Sequence, residues 1–235
     1  MEILKLLSTI DVPISAARIQ GELNLPRSST YHLLAEMVDA GFVAHLPEHK
    51  TYGLGLAAYS MASAYVTQQP LVRMATRDLE QCAALVGGSG HLSRMAGSEI
   101  LYLQEVRAAG ATSLVTEVGV RLQAHKTASG RVMLAHLPDA EVRAAFDTAG
   151  GSGFNALKEH LRLVAARGWD QEIEEISRGQ ASVAVPILDH LERPAAAVAV
   201  TYPVGTPDVK VDALIRALLE VSDKVAAKMY RNRKK

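Results

Sequence analysis

A run of six side chains that can form hydrogen bonds, one of them cationic, stands at the beginning of a predicted helix. Its members are Arg27, Ser28, Ser29, Thr30, Tyr31 and His32. Backbone N–H groups at a helix N-terminus favour phosphate, and hydroxyl groups can reach phosphates or the edges of bases. The run therefore predicts a contact with DNA. The alternative is that Ser28 to Thr30 only cap a helix of a small helical subdomain.

The elements around this run have the order of a winged helix-turn-helix. They are a helix, a short break, a second helix and two strands, predicted at 14–23, 24–26, 27–40, 42–46 and 51–54. Pro26 cannot continue the first helix and is suited to start the second, which Gly41 ends. A helix over 1–10 is expected to pack behind them. The apolar residues of the second helix are predicted to form one buried stripe: Leu33, Leu34, Met37 and Val38.

The candidate DNA contacts divide between the major groove and the wing. Residues 27–32 would enter the major groove, and the wing residues His49, Lys50 and Thr51 would contact the backbone or the minor groove. Arg18 in the first helix is a further candidate. Residues 1–69 carry four basic and six acidic side chains, a formal charge of −2, whereas a DNA-binding module is usually basic. We therefore expect modest affinity per subunit, a shallow dependence of binding on salt, and reliance on oligomerisation.

Length and composition bound the class of protein. The chain has 235 residues, 49% of them hydrophobic, and a formal net charge of zero, which fits a protein with a packed core. No apolar run reaches the roughly 18 residues of a membrane span, and Glu2 and Lys5 interrupt any signal peptide. Cys82 is the single cysteine, which excludes an internal disulfide and a cysteine-based zinc cluster. A cytoplasmic protein without membrane contact or cofactor is therefore expected.

The rest of the chain alternates helices and strands in an order that predicts an antiparallel sheet covered by helices, an α+β fold. Predicted helices lie at 71–86, 127–135, 140–146, 156–167 and 209–231, and predicted strands at 91–95, 100–106, 114–118, 182–188 and 195–202. Gly87 to Gly90 is interpreted as a turn. Residues 55–69 lack a helix breaker before Pro70 and predict a linker helix, whose small residues favour self-association. The predicted parts are a DNA-binding domain at 1–55, a linker at 56–70 and a second domain at 71–235.

A second candidate binding segment begins at His125. Residues 125–131 read His-Lys-Thr-Ala-Ser-Gly-Arg and lead from a loop into an apolar helix. Small residues and hydroxyl groups at such an entry leave backbone N–H groups free, which can hold a small anion such as a carboxylate. The alternative is an ordinary capped helix with close packing. His125 itself could position the loop or serve only as a structural histidine.

The sequence offers few candidates for catalytic or metal-binding residues. Cys82 lies among apolar residues of a predicted helix and is interpreted as a core residue, and His91 beside a glycine turn has no evident metal or base partner. The sequence has no nucleophile–base pair and no metal site at a recognisable spacing. It therefore favours a protein that binds DNA, either with a small-molecule effector or constitutively without one.

Several ordered motifs resemble those of the IclR family of bacterial transcriptional regulators over nearly the whole chain. They lie at 25–34, 41–43, 52–55, 125–131 (the family block H-x-T-A-S-G-K/R), 167–169, Gly179 and 183–186. The resemblance implies a winged helix-turn-helix, a linker helix and a GAF-like effector-binding domain with an antiparallel sheet. It also implies a homodimer or dimer of dimers that binds an operator in double-stranded DNA and responds to a small organic or aromatic acid. Repression is the favoured direction of regulation.

The same resemblance assigns an effector pocket by position. It has backbone N–H donors at Ala128 and Ser129, wall residues Leu114 and Leu122, and floor residues Glu172, Ser182, Ala199 and Thr201. The chain departs from the family at His32, where arginine is usual, at Ser182, where cysteine is common, and at Glu172 and Ile173, which replace an acidic pair. Because Glu172 would repel a carboxylate unless it bonds a hydroxyl or amine, we expect an effector that carries a donor group.

Overall fold

A computed structural model of the chain describes residues 1–68, 70–112, 116–150 and 153–231. The chain divides into two compact units, Met1–Gln68 and Gln69–Lys235. No helix in the described part of the chain is long and apolar enough to cross a membrane. The functional boundaries expected near residues 55 and 70 stay a prediction.

The first unit consists of three helices, a small antiparallel sheet and a further helix. Its elements are α1 (Glu2–Ser8), β1 (Ile14–Ser15), α2 (Ala16–Leu23), α3 (Arg27–Asp39), β2 (Val43–Leu46), β3 (Thr51–Leu54) and α4 (Leu56–Gln68). The strand order is β1-β3-β2, and the hairpin of β2 and β3 forms the wing. Helix, turn, helix and wing follow one another as predicted, so this unit is a winged helix-turn-helix.

Local backbone chemistry sets the ends of α2 and α3. The side chain of Ser15 accepts a hydrogen bond from the backbone N–H of Arg18 and caps α2, and Asn24 ends this helix in the left-handed region at φ 49°. Pro26 is the N-cap of α3 and offers no side-chain hydrogen bond, so the hydroxyl run does not supply this cap. Ile14 and Ser15, predicted as helix, form instead the short strand β1, which pairs with β3.

The core of the first unit gathers residues from five of these elements. Its buried members are Ile3, Leu7, Ile14, Ala16, Ile19, Leu34 and Val43, with Met37 and Val38 packed against them. Leu33 was predicted to join them, but its side chain is 39% exposed. The prediction is wrong because adjacent helix residues point about 100° apart, and the neighbouring Leu34 already faces the core.

The second unit has a six-stranded sheet with helices around it. Its elements are α5 (Pro70–Val86), β4 (Ser89–Ala96), β5 (Glu99–Arg107), β6 (Arg121–Gln123), α6 (Ala128–Leu134), α7 (Asp139–Thr148), α8 (Phe154–Arg167), β7 (Asp170–Ile173), β8 (Gln180–Leu188), β9 (Pro194–Pro203) and α9 (Asp208–Ala226). A 3-10 turn, Ala124–Lys126, precedes α6. The strand order is β6-β5-β4-β9-β8-β7, and every neighbouring pair is antiparallel.

Helices cover both faces of this sheet. A Cβ atom at Gly90 of β4 would meet Leu79 of α5, whereas the next residue, His91, lines a cavity together with Ala128 of α6. Because successive strand residues point to opposite faces, α5 and α6 lie on opposite sides of the sheet. Helix α9 packs beside α5, and α8 packs against α6. The unit is therefore an α+β fold built on an antiparallel sheet, as predicted.

Several boundaries differ from the prediction. Strands β6 and β7 were not predicted, because three or four residues are too few to show a clear alternation. Of the strand expected at 114–118, residues 116–118 are not in a strand and the rest lies outside the described residues. Ser89 and Gly90 belong to β4 rather than to a turn. The last helix changes after Ala226 into a π-helical turn that ends at Arg231.

Candidate functional site

The exposed face of α3 carries most of the residues that were predicted to contact DNA. Arg27, Ser28, Tyr31 and His32 are exposed, and Ser29 is partly exposed. The first four share one face of the helix because they form two pairs that are four residues apart. The guanidinium of Arg27 lies 5.9 Å from the centre of the Tyr31 ring, at the outer limit of a cation–π contact. This face offers one cation and several uncharged hydrogen-bonding groups to a partner.

Thr30 does not belong to this exposed face. Its side chain is only 1% exposed, and its hydroxyl donates to the carbonyl of Pro26 at 3.0 Å. The prediction that Thr30 contacts DNA is therefore wrong. The helical period turns Thr30 to the same side as Leu34, which faces the core.

The wing presents its predicted residues at an accessible tip. His49 and Lys50 are exposed and Thr51 is partly exposed. Lys50 adopts a φ of 51° in the turn between the two strands. Behind the tip, the rings of His45 and Tyr52 stack with centroids 4.6 Å apart, which stiffens the hairpin. Arg18 on α2 is also exposed and lies 3.7 Å from Glu22. Contact of these residues with DNA stays a prediction.

A cavity of about 10 Å³ lies in the second unit between the sheet and the beginning of α6. Most of the predicted effector residues line it: Ala128, Ser129, Glu172, Ser182, Ala199 and Thr201. Leu122 is not among the lining residues: it lies opposite Ile100 on the edge strand β6 and packs against the hydrophobic cluster that contains Ala128 and Ala199, so its role in an effector site stays a prediction. Leu114 lies outside the described residues. The free space would hold about one water molecule.

A polar row crosses the floor of this cavity. The strand register places Glu172 beside Ser182, and Ser182 beside Thr201. The hydroxyl of Ser182 donates to Glu172 Oε1 at 2.6 Å and lies 2.9 Å from Thr201 Oγ1. The second oxygen of Glu172 accepts the backbone N–H of Glu175 at 3.0 Å. Glu172 is only 3% exposed, and among the described residues it has hydrogen-bond donors but no ion-pair partner.

The cavity also has residues that the sequence analysis did not assign to it: His91, Tyr102, Thr116, Thr127, Ile176 and Ser177. His91 Nε2 lies 3.5 Å from the hydroxyl of Thr116, while its Nδ1 has no partner among the described residues. Burial lowers the pKa of His91 to about 4, so the imidazole is neutral near pH 7. Burial, followed by the charge of Glu172, raises the pKa of Tyr102. The alternation of Ser89, His91 and Ser93 along β4 was the available signal for a polar face.

The entry to α6 brings its first turn against the cavity. The side chain of Thr127 caps the helix by accepting the backbone N–H of Gly130 at 2.9 Å. The N–H groups of Ala128 and Ser129 stand in the first turn, where no helix carbonyl precedes them. A Cβ atom at Gly130 would lie 2.1 Å from the carbonyl oxygen of Ala124, so only glycine permits this close approach. These features match the predicted anion-holding loop, whose ligand stays a prediction.

A buried ion cluster ties α6 to β7 next to the floor. Arg131 is 6% exposed, and its Nε donates to Asp170 at 2.5 Å. Its terminal nitrogens donate to both carboxylate oxygens of Glu175 at 2.9 and 3.3 Å. Burial opposes the charge of Arg131, but Asp170 and Glu175 outweigh it and raise the pKa of the guanidinium. The cluster thereby connects α6 to the strand that carries Glu172.

The remaining candidates lie outside the cavity. His125 packs edge-on against Phe146 with ring centroids 5.1 Å apart, and burial, then Lys126 and Arg131, lower its pKa. Cys82 is buried, and burial, then Asp78 and Glu220, raise its pKa to about 11, as expected of a core thiol. Among the described residues, no group of three or more His, Cys, Asp or Glu side chains could hold a metal ion.

Comparison with known proteins assigns both units to one kind of regulator. The model of the IclR helix-turn-helix domain matches residues 1–47, and that of the bacterial transcriptional regulator IclR C-terminal matches residues 63–227. The glycerol operon regulatory protein of Streptomyces griseus is 29% identical over 207 residues, which cover 86% of this chain and 82% of that protein.

Solved structures share the fold over nearly the full length. An IclR transcriptional regulator from Alicyclobacillus acidocaldarius has a TM-score of 0.82 at 21% identity and covers 96% of this chain and 95% of its own. An IclR homolog from Microbacterium hydrocarbonoxydans, solved in complex with 4-hydroxybenzoate, has a TM-score of 0.79 at 20% identity over 97% of both chains.

Proposed function

Because the chain belongs to the IclR family of bacterial transcriptional regulators, we propose that it is a repressor whose operator affinity changes when a small organic or aromatic acid binds. The acid would bind in the cavity beside α6. The observation that carries the proposal is that Ala128 and Ser129 at the start of α6 and Glu172 on β7 converge on one buried cavity. The chain would then consist of a DNA-binding domain at 1–55, a linker at 56–70 and an effector domain at 71–235.

On the DNA side, the exposed face of α3 would read the major groove and the wing tip would contact the backbone or the minor groove. His32 clamps phosphate less well than an arginine would, since an arginine is always charged and bidentate. With a formal charge of −2 on residues 1–69, one copy gains little from phosphate contacts. Two linked copies would gain affinity through effective concentration, so a homodimer is part of the proposal.

On the effector side, Glu172 is the charged lining residue and it accepts hydrogen bonds rather than donating them. A simple carboxylate near Glu172 would be repelled. An acid that also bears a hydroxyl or amine could place its carboxylate at the N–H groups of Ala128 and Ser129 and donate a hydrogen bond to Glu172. The Microbacterium homolog binds 4-hydroxybenzoate, an acid of this kind, which makes it a reasonable first probe. The cavity must open for any acid to enter, because its present volume is about 10 Å³.

Fluorescence anisotropy with the DNA just upstream of this protein's own reading frame tests the proposal. The titration is run with and without a panel of hydroxylated aromatic and aliphatic acids that includes 4-hydroxybenzoate and lactate. We expect saturable binding that at least one acid weakens. Saturable binding that is indifferent to every acid would favour a constitutive DNA-binding protein, and absence of binding at low salt would contradict the DNA-binding role.

A variant pair separates phosphate contact from general charge. Arg27→Ala should lower operator affinity and reduce the slope of log affinity against log salt by about 1, because one phosphate contact is lost. Arg162→Ala is the matched control, since this arginine is exposed on α8 in the other unit. Equal effects of the two changes on the salt slope would contradict the placement of Arg27 against DNA.

A further inference from the structure

The hydroxyl groups on the cavity floor have a defined hydrogen-bond direction. A carboxylate can only accept, so the 2.6 Å contact with Glu172 directs the proton of Ser182 toward that carboxylate. Ser182 then has no proton left for its 2.9 Å contact with Thr201, and Thr201 must be the donor there. Both protons therefore lie along the row from Thr201 to Ser182 to Glu172, and the free positions on these three residues are oxygen lone pairs.

We propose that this directed row makes the floor an acceptor surface that selects a hydroxyl-bearing small acid over the same acid with a carbonyl, or with nothing, at that position. The inference rests on the proposed function for the existence of a ligand and adds its chemical class. Its physical basis is that the remaining free positions on the floor are oxygen lone pairs: a ligand hydroxyl can donate a hydrogen bond to them, whereas a ligand carbonyl oxygen would face them with no proton between. His91 and Thr116 line the same cavity, and neither carries a charge near pH 7.

The direction of the row depends on Glu172 and can be reversed. The backbone N–H of Glu175 donates to Glu172 Oε2 at 3.0 Å, so a glutamine at 172 must place its carbonyl oxygen there. Its amide nitrogen would then donate to Ser182, the proton of Ser182 would turn to Thr201, and the proton of Thr201 would become free for a ligand. Glu172→Gln therefore changes the floor from an acceptor to a donor with almost no change in shape.

Isothermal titration calorimetry on the full chain tests the inference with two pairs of probes, lactate against pyruvate and 4-hydroxybenzoate against benzoate. We expect the wild-type chain to bind the hydroxylated member of a pair at least about tenfold more tightly. In the Glu172→Gln variant the ratio of the two affinities, hydroxylated acid over its analogue, should fall by about tenfold. For lactate and pyruvate the preference should disappear or reverse in favour of pyruvate. Glu159→Gln, an exposed change of the same kind on α8, should leave the ratio as it is.

Thr201→Val provides a second route that does not alter Glu172. It removes the last hydroxyl of the row and keeps the side-chain shape, so the preference for lactate should weaken. The double variant Glu172→Gln/Thr201→Val should not gain affinity for pyruvate, because it lacks the Thr201 proton that Glu172→Gln alone would free. Equal affinities within both pairs in the wild-type chain would overturn the inference and leave the proposed effector role intact. A wild-type chain that binds none of the four probes, and whose operator affinity no acid changes, would overturn both.

Discussion

The burial of His91 predicts that the stability of the second unit depends on pH. Burial, with a smaller opposing effect of Glu105 and a supporting one of Arg107, lowers its pKa from 6.5 to about 4. The unfolded chain takes up this proton at higher pH than the folded one, so stability present above pH 6.5 is lost progressively down to about pH 4. A shift of this size corresponds to about 3 kcal/mol in the free energy of unfolding. Denaturant unfolding at several pH values across this window measures the loss.

His91→Asn is the variant that isolates this contribution. It keeps a polar side chain but cannot take up a proton, so the decline of stability with falling pH should become shallower. A residual decline is expected, because burial also lowers the pKa of His125 and His136. An unchanged slope in the variant would mean that His91 is solvated enough to titrate normally.

Gly130 is the residue whose lack of a side chain lets α6 approach the preceding turn. In Gly130→Ala the new Cβ would lie 2.1 Å from the Ala124 carbonyl oxygen and 2.4 Å from its Cα, and these are backbone atoms that cannot rotate away. We expect a loss of about 3 kcal/mol in unfolding free energy, at the upper end for overpacking, and weaker binding of any acid that binds the wild type. Thermal and urea unfolding measure the first effect, and calorimetry the second.

The matched control for that change is Gly21→Ala in the interior of α2. A Cβ there meets nothing within 4 Å, and its φ lies outside the left-handed region. Alanine should therefore stabilise the first unit by about 0.5–1 kcal/mol through helix propensity. Similar losses in both variants would show that the contact with Ala124 is not what makes Gly130 necessary.

At the scale of elements, the attachment of α6 to β7 depends on the buried pair of Arg131 and Asp170. Asp170 is fully buried and also accepts from Arg167 at 2.5 Å and contacts His160 at 3.0 Å. Asp170→Asn removes the negative charge and leaves Arg131 buried with only the half-exposed Glu175, which should cost about 3–5 kcal/mol. Chemical denaturation measures the cost. Glu159→Gln breaks the exposed pair with Arg162 and should change stability by less than about 1 kcal/mol.

Elements with strong local signals could be predicted from the sequence, and those without them could not. Pro26 and Gly41 mark helix ends by backbone chemistry, so α2 and α3 were placed to within a few residues. The edge strands β6 and β7 carry no such marks, and their existence depends on pairing with strands elsewhere in the chain. A local pattern cannot contain that information.

The residues of the cavity could not be brought together from local sequence patterns either. Its floor residues were assigned through resemblance, because Glu172, Ser182 and Thr201 meet only through the register of three strands. His91 was noticed in the sequence but not placed, since its position beside Ala199 follows from the pairing of β4 with β9. The exposure of Leu33 and the burial of Thr30 were decided by helix rotation within the packed unit, which composition alone does not set.

At the scale of the whole molecule, α4 presents apolar side chains that the described part of the chain leaves exposed. Leu56, Tyr59 and Met61 are 77%, 70% and 60% exposed. A cluster of exposed large apolar residues on one helix is typical of an association surface. Since the DNA-binding unit is formally negative and gains little from phosphate contacts, a second copy is the partner that would also supply the missing affinity.

Tyr59→Glu should therefore convert the proposed homodimer to a monomer and weaken operator binding at the same time. The glutamate would place a charge in the interface, and loss of linkage between two reading heads should lower operator affinity by about a hundredfold or more. Sedimentation velocity and anisotropy on the same samples measure both effects. Val209→Glu, which changes a 72% exposed apolar residue on α9, is the control and should change neither. If Tyr59→Glu remained dimeric but lost DNA binding, α4 would act on DNA by another route. If it became monomeric with full affinity, one reading head would be sufficient and avidity would have no part in operator recognition.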